Sequence, residues 1–265
     1  MASPSVPRFQ AFSLQDDPRG LWTAEEDGRP VGFAWSWACE DFWFLAQLFV
    51  KPGLQGGGVG RTLLQRTLAH AADIGARNRA LITFAFNTVS QGLYIQHGFL
   101  PRFPLYLMSI PRERFGGHVP DQVLEVSPLD GSDAETSLLS ELDRFALGFS
   151  RAKHHGLLAG EPGIRALGFS QGGRLVGYCY ISQSGHIGPF AVASPELAVA
   201  GFETALAVAA EGAVESISCL VPGSNASVLR CAAAAGLRIK FPMLAMSTDE
   251  LGNWSCYLSR NPGFM

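Results

Sequence analysis

Apolar positions along this chain fall into short, nearly continuous runs divided by stretches where they recur every three or four residues. That pattern predicts buried strands alternating with half-buried helices. From Leu21, "LWTAEEDGRPVGFAWSWACE" predicts two strands joined at Asp27 and Gly28, because a D-G pair between short apolar segments selects a tight hairpin. "DFWFLAQLFV", aromatic-rich and apolar almost throughout, predicts a central strand. After a glycine-rich break, Leu63, Leu64, Thr67, Leu68 and Ala71 recur at helical spacing, with a stop at Gly75. "RALITFAF" then predicts a buried strand, "NTVSQGLYIQHGF" a short helix closed by Gly98, and "PLYLMSIP" a further strand.

A softer stretch, "PRERFGGHVPDQ", has two prolines and a Gly-Gly pair and reads as a linker. It sets the expected boundaries: one domain over 1–113, a joint at 114–121, and a second domain over 122–265. Beyond it, "QVLEVSPL" predicts a strand and "DAETSLLSELDRFALG" a helix with Leu138, Leu142 and Phe145 on one face. The remainder repeats the earlier order. Two strands lie around "SQGGRLVGYCYIS", followed by strand "GHIGPFAVA", helix "PELAVAGFETALAVAA", strand "VESISCLVPG", helix "NASVLRCAAAAG" and strand "LRIKFPMLAMS". Asn87 stands eleven residues before Gly98, and Asn225 eleven before Gly236, each after a buried strand. The two halves read as copies, so the places where they differ become informative.

Composition narrows the function classes. With 265 residues, 47% hydrophobic and 16% charged, the chain has room for one large folded unit or two of average size. A net charge of −3 without any basic run argues against nucleic acid and anionic membrane as partners. The longest apolar stretch, Leu197 to Val214, is interrupted by Glu203 and Glu211, which argues against a spanning helix. The opening "MASPSVPRFQAFSLQDD" has neither the charged start nor the apolar segment of a secretory leader, so a cytoplasmic protein is expected. Cys39, Cys179, Cys219, Cys231 and Cys256 include no C-x-x-C pair and read as reduced thiols. The adjacent His154 and His155 would make a poor chelating pair, and no metal site is expected.

The glycine-rich break, "LFVKPGLQGGGVGRTLL", carries the chemistry. A Walker loop fails, because Val59 and Gly60 stand where Lys and Ser or Thr are needed after Gly58. A dinucleotide fingerprint is weak, since Gly56, Gly58 and Gly60 give G-x-G-x-G and no acid is suitably placed for a ribose. The pattern Q-x-x-G-x-G does fit, as Gln55, Gly58 and Gly60 after a strand ending Val50-Lys51-Pro52. It resembles the pyrophosphate-binding motif of the GNAT superfamily of acyl-CoA-dependent N-acyltransferases. Bare backbone there lets consecutive N–H groups at a helix start point at one pyrophosphate, and the helix dipole favours the anion.

The resemblance implies an α+β fold of two tandem GNAT-like domains, each a mixed central sheet flanked by helices, the second degenerate. It implies acetyl-CoA as cosubstrate, bound by the backbone of Leu48, Phe49 and Val50, then by Gln55, Gly56 and Gly57, and by Gly58, Val59, Gly60 and Arg61. Asn87 would hold the pantetheine arm, and Tyr94 would be the general acid at the thioester sulfur; helix cap and core aromatic are their plain structural alternatives. A backbone N–H near Leu48 or Phe49 would stabilise the oxyanion. Residues 21–110 match closely, while the second half matches mainly in the order of its elements and in "LDRFALGFSR" and Asn225.

For the acceptor, a small-molecule or peptide amine, Glu40 and Asp41 are the nearest carboxylates in sequence, and Glu40 is the candidate base. His97 is expected near solvent at a helix end. Trp35, Trp37, Phe42, Trp43 and Phe44 either line an apolar acceptor pocket or pack as core, the blander reading. The family's opening helices are nearly absent from the first half, so either that copy is shortened and borrows its acceptor wall from the second or the sequence starts late. In the second half Ala232 stands where Tyr94 would, and residues near Ala200 and Phe202 replace the glycines, so one CoA per chain is expected. The acceptor's identity and a homodimer stay open. A non-catalytic acyl-CoA-binding regulator is the alternative function.

Overall fold

The computed structural model describes residues 7–116 and 124–265. The N-terminal part of the expected joint, 114–116, lies within these, and 117–121 lies outside them. A helix not anticipated from the sequence, α1 (Arg8–Asp16), precedes the first strand. There follow β1 (Leu21–Glu26), β2 (Arg29–Cys39), β3 (Phe42–Val50), α2 (Val59–Asp73), β4 (Asn78–Phe84), α3 (Thr88–Gln96) and β5 (Leu100–Pro111). The second half gives β6 (Glu125–Pro128), α4 (Asp133–Leu147), α5 (Ala152–Ala159), β7 (Ile164–Gln171), β8 (Arg174–Ser182) and β9 (His186–Val192). It closes with α6 (Ala198–Glu211), β10 (Ser216–Pro222), α7 (Ala226–Ala234), β11 (Arg238–Ser247) and the short β12 (Tyr257–Leu258). The hairpin at Asp27 and Gly28 has φ of 50° and 71°, the doubly positive pair that a D-G turn supplies.

The two halves do not keep separate sheets. Their strands merge into one, ordered β1-β2-β3-β4-β11-β5-β10-β9-β8-β7-β6. Each half's last long strand has crossed over: β11 pairs antiparallel with β4, and β5 pairs antiparallel with β10. The crossed strands also pair with one another, antiparallel, at the centre. The duplication read from the sequence thus becomes a pseudo-twofold arrangement about the β11–β5 ladder.

On one face of the first half, α2 and α3 cover a core of Trp43, Leu45, Leu64, Leu81, Tyr94 and Phe99. On the other, Trp35, Trp37, Phe42 and Phe44 join a core that continues into the second half. Phe42 stacks on Phe149 with ring centroids 4.0 Å apart, and Trp37 meets His154 edge-on at 4.9 Å. Those aromatics are therefore packing, not pocket lining. The α4 face also differs from expectation: Leu139, Leu142 and Ala146 are buried, while Leu138 and Phe145 are about half exposed. Helical spacing admits either stripe through Leu142, and the sheet beneath selects the one a residue over.

Candidate functional site

The site forms where β3 and β4 part company. Their parallel pairing runs only from Phe42 opposite Asn78 to Leu45 opposite Leu81. A bulge then leaves Ala46 without a partner on β2, since Ser36 faces Leu45 and Trp35 faces Gln47. The extra residue bends β3 away from β4 and opens a slot. Lys51 N–H donates to Val31 O at 2.8 Å, which fixes the alternation of the β2–β3 ladder. Phe49 is accordingly spent on β2, while the N–H groups of Leu48 and Val50 turn toward the slot. The side-chain amide of Gln55 donates to Val50 O at 3.2 Å, on that same side, and ties the loop to the strand end.

Above the slot, α2 starts with Gly58 at its N-cap, φ 89°, without a side-chain cap and without an acid in its first turn. Its first intrahelical bond runs from Thr62 N–H to Gly58 O, so Val59, Gly60 and Arg61 present free N–H groups. Gly56 is also left-handed, φ 86°, and a Cβ built on Gly56 or Gly58 would meet no atom within 4 Å. These glycines are needed for backbone conformation and face open space rather than packing against the chain. Arg61 is exposed and lies 3.5 Å from Gln96 Oε1.

Asn87 caps α3, its Oδ1 accepting from Ser90 N–H at 3.1 Å, while its Nδ2 makes no hydrogen bond to another described residue. Tyr94 is 6% exposed in the core that α2 and α3 cover, and burial pushes its phenol up to about 12. Its hydroxyl likewise has no partner among the described residues. The uncapped start of α2, the Asn87 amide and the Tyr94 phenol thus all belong to the two helices that cover this face of the sheet.

Two candidates fall outside the slot. Glu40 sits in the β2–β3 turn with φ 53°, accepting from Arg144 Nη2 at 2.7 Å and from Ser150 N–H at 3.1 Å. That is at the opposite end of β3, about 20 Å from Leu48 at ~3.3 Å per residue. Glu40 joins the two halves and is not a base at the slot; Asp41 beside it pairs with Arg77. His97 is half-buried rather than at the surface, with Nδ1 2.9 Å from Leu93 O.

The second half has the corresponding slot, closed by the chain itself. There β9 and β10 pair only at His186 opposite Ser218 and Ile187 opposite Cys219. The gap beyond is filled by β12, with Tyr257 opposite Ala191, Leu258 opposite Phe190, and a bridge from Ser259 to Leu220. Asn225 has the backbone of Asn87, φ −89° and ψ 72° against −86° and 74°, and caps α7 in the same way. Its Nδ2 is engaged, donating to Ser255 O at 2.9 Å and Trp254 O at 3.3 Å. Asn225 is thus more than a helix cap. Ala200 and Phe202 are buried in the core, so what shuts this slot is β12 rather than their side chains.

A polar cluster is buried nearby. Arg151 donates to Asp143 at 3.0 Å and Tyr178 at 2.7 Å, and His155 stands 2.8 Å from both Asp143 and Tyr180. Burial opposes ionisation of Asp143, but the Arg151 charge and the His155 hydrogen bond outweigh it and hold the carboxyl well below its usual range. All five side chains are closed to solvent, so the cluster reads as a structural network. Among the described residues no group of three His, Cys, Asp or Glu could hold a metal, and no helix is long and apolar enough to cross a membrane.

Residues 2–99 match the model of the acetyltransferase (GNAT) family. A mycothiol acetyltransferase of Streptomyces avermitilis is 36% identical over 85 residues, 31% of this chain and 28% of that protein. An uncharacterized N-acetyltransferase of Mycobacterium bovis is 36% identical over 99 residues, 37% of this chain and 63% of that protein. The chain thus spans less than two thirds of either relative. In fold, it superposes on a putative acetyltransferase from Pyrococcus horikoshii with a TM-score of 0.75 and 17% identity, covering 97% of this chain and 84% of the other. A tandem GNAT protein from the clavulanic acid biosynthesis pathway gives 0.58 and 16%, covering 93% and 89%. The last two likenesses are likenesses of architecture.

Proposed function

We infer that this chain, whose residues 2–99 match the acetyltransferase (GNAT) family, is an enzyme that moves an acetyl group from acetyl-CoA directly to a primary amine, using residues 1–113 as the donor half. The observation that carries this is the contrast between two equivalent asparagines: Asn225 holds the turn that leads into β12, while Asn87 keeps the same amide free in a half whose glycine helix start has no side-chain cap. A pantetheine arm is peptide-like, with amides of its own, and suits the place that β12 takes in the other half.

Acetyl-CoA supplies the activated acyl group. The free N–H groups at the start of α2 bind its pyrophosphate, worth up to ~2 kcal/mol for an anion at a helix terminus. Asn87 Nδ2 orients the arm, and Leu48 N–H faces the place where charge develops on the acyl oxygen. Tyr94 keeps its proton at neutral pH and donates a hydrogen bond to the sulfur. At about 12 it is a weaker acid than a thiol, so the proton that finally leaves with the sulfur comes from the amine. In this reading Tyr94 is a hydrogen-bond donor to the sulfur, where the resemblance implies a general acid.

The relatives support a small-molecule acceptor, and the unpaired cysteines fit a reducing, cytoplasmic setting. Residues 122–265 form the degenerate half in this reading, joined through 114–121. Calorimetry with acetyl-CoA, followed by thiol release over an amine panel, tests it. Binding near one equivalent with amine-dependent thiol release is expected. Binding without turnover on any amine would favour the regulatory reading, which gains from the place of Glu40 and Asp41 at the far end of β3.

A further inference from the structure

Resting on that reading, we infer the class of acceptor: an amine carried on an aromatic body with no second cationic group, held between two lips of phenylalanine. Because α2 and α3 cover one face of the slot, a nucleophile reaches it from the other. On that face Phe33 and Phe49 are register partners with rings stacked at 5.9 Å. Across the slot Phe84 stacks on Phe86 at 5.0 Å and meets Phe241 of β11 edge-on at 6.3 Å. Continuing the parallel register past the one bulged residue brings Phe49 level with Phe84, one residue from Leu48.

All five rings are between 39% and 65% exposed, in a first half whose other aromatics on β2 and β3 are buried. Exposed aromatic rings grouped in this way mark a binding site. The slot divides it, with Phe33 and Phe49 on one side and Phe84, Phe86 and Phe241 on the other, which suits one ring entering between them and offers a second protein no continuous face. Charge points the same way. The strands β2, β3, β4 and β11 contain no Asp or Glu, and Glu25 and Glu26, at the same end of the sheet, stand on β1, two strands from the slot. A polyamine or aminoglycoside would bring further ammonium groups to strands that offer no carboxylate, whereas an apolar wall favours the neutral, nucleophilic amine. The nitrogen lone pair forms the bond to the acyl carbon, the carbon–sulfur bond breaks with its pair on sulfur, and the proton lost by nitrogen completes the free thiol. No further reactant is needed.

The test compares 2-phenylethylamine, ethanolamine and spermidine as acceptors, with parent, Phe84→Ala and Phe241→Ala. The expected result is a kcat/KM for 2-phenylethylamine at least about tenfold above the other two. Each variant should raise its KM about three- to tenfold without altering the acetyl-CoA Kd. Acetyl-CoA binding with equal or better use of spermidine, or an unchanged KM in both variants, overturns the acceptor assignment alone. No binding of acetyl-CoA, or binding without turnover, overturns the transferase reading and this one with it. A concentration-dependent dimer dissolved by Phe84→Asp would assign the lips to a second copy of the chain.

Discussion

Single side chains divide here into those whose role follows from their neighbours in sequence and those placed by the sheet. Asn87 and Tyr94 were legible as neighbours because Asn87 caps the nine-residue helix that carries Tyr94, a local geometry. Glu40 was not: it is close to the slot's strand in sequence, yet a strand rising ~3.3 Å per residue carries it to the far end. Tyr94→Phe keeps the packing against Phe99 and removes only the donor, so kcat should fall ten- to a thousandfold while the CoA Kd stays constant, checked by steady-state kinetics and calorimetry. The phenol's raised value also sets the pH profile. A group pushed up to about 12 stays protonated below that, so kcat/KM should rise as the amine deprotonates and show no fall before about pH 10. An alkaline limb near pH 9 that disappears in the Phe variant would contradict this. Glu40→Gln should leave kcat within about threefold and lower stability by about 1 kcal/mol or less, since its partner Arg144 is half-exposed. A hundredfold loss of kcat at unchanged stability would restore Glu40 as the base.

Among the elements, the glycine loop and its helix were readable because their chemistry is backbone chemistry, written directly as missing side chains. Gly58→Glu places a carboxylate at the helix start and a side chain at φ 89°, so acetyl-CoA binding should be lost, at least a hundredfold in Kd, in a protein whose circular dichroism is unchanged. Retained affinity would remove the loop from the site. Helix α1 escaped notice because "RFQAFSLQD" has only Phe9 and Phe12 to mark a face, and their partners, Trp35, His154 and Phe264, come from three distant segments. The stopper β12 was equally hidden, being two residues long. Its presence sharpens the stoichiometry: calorimetry should give one equivalent of CoA per chain. Asn225→Ala, which frees Trp254 O and Ser255 O, should lower stability by about 1–3 kcal/mol without creating a second site, because the backbone pairing of β12 persists. Two equivalents in either protein would sink the assignment of the second half as closed.

At the scale of the whole molecule, the duplication was visible in element order, but the exchange of strands was not. Strands β5 and β11 are both apolar segments that end a half, and alternation alone cannot tell which of two similar strands lies beside β4. The exchange has a mechanical consequence. In residues 7–116 taken alone, β4 loses β11, and β5 loses both its neighbours, since it lies between β11 and β10. Rows of unpaired N–H and C=O groups would face water, along with the apolar surface that Phe149, His154 and Phe264 now cover on Phe42 and Trp37. A chain ending at Gly116 should therefore be unfolded or self-associated, failing to bind acetyl-CoA as a monomer, although every residue of the donor site is present. The intact protein should unfold in one cooperative transition, because neither half has a closed sheet of its own. Co-expression with residues 117–265 should restore a one-to-one complex that binds acetyl-CoA. Light scattering and calorimetry on the short chain decide the matter: a stable monomer with parental affinity would mean that β5 folds back onto β4 and that the exchange is dispensable.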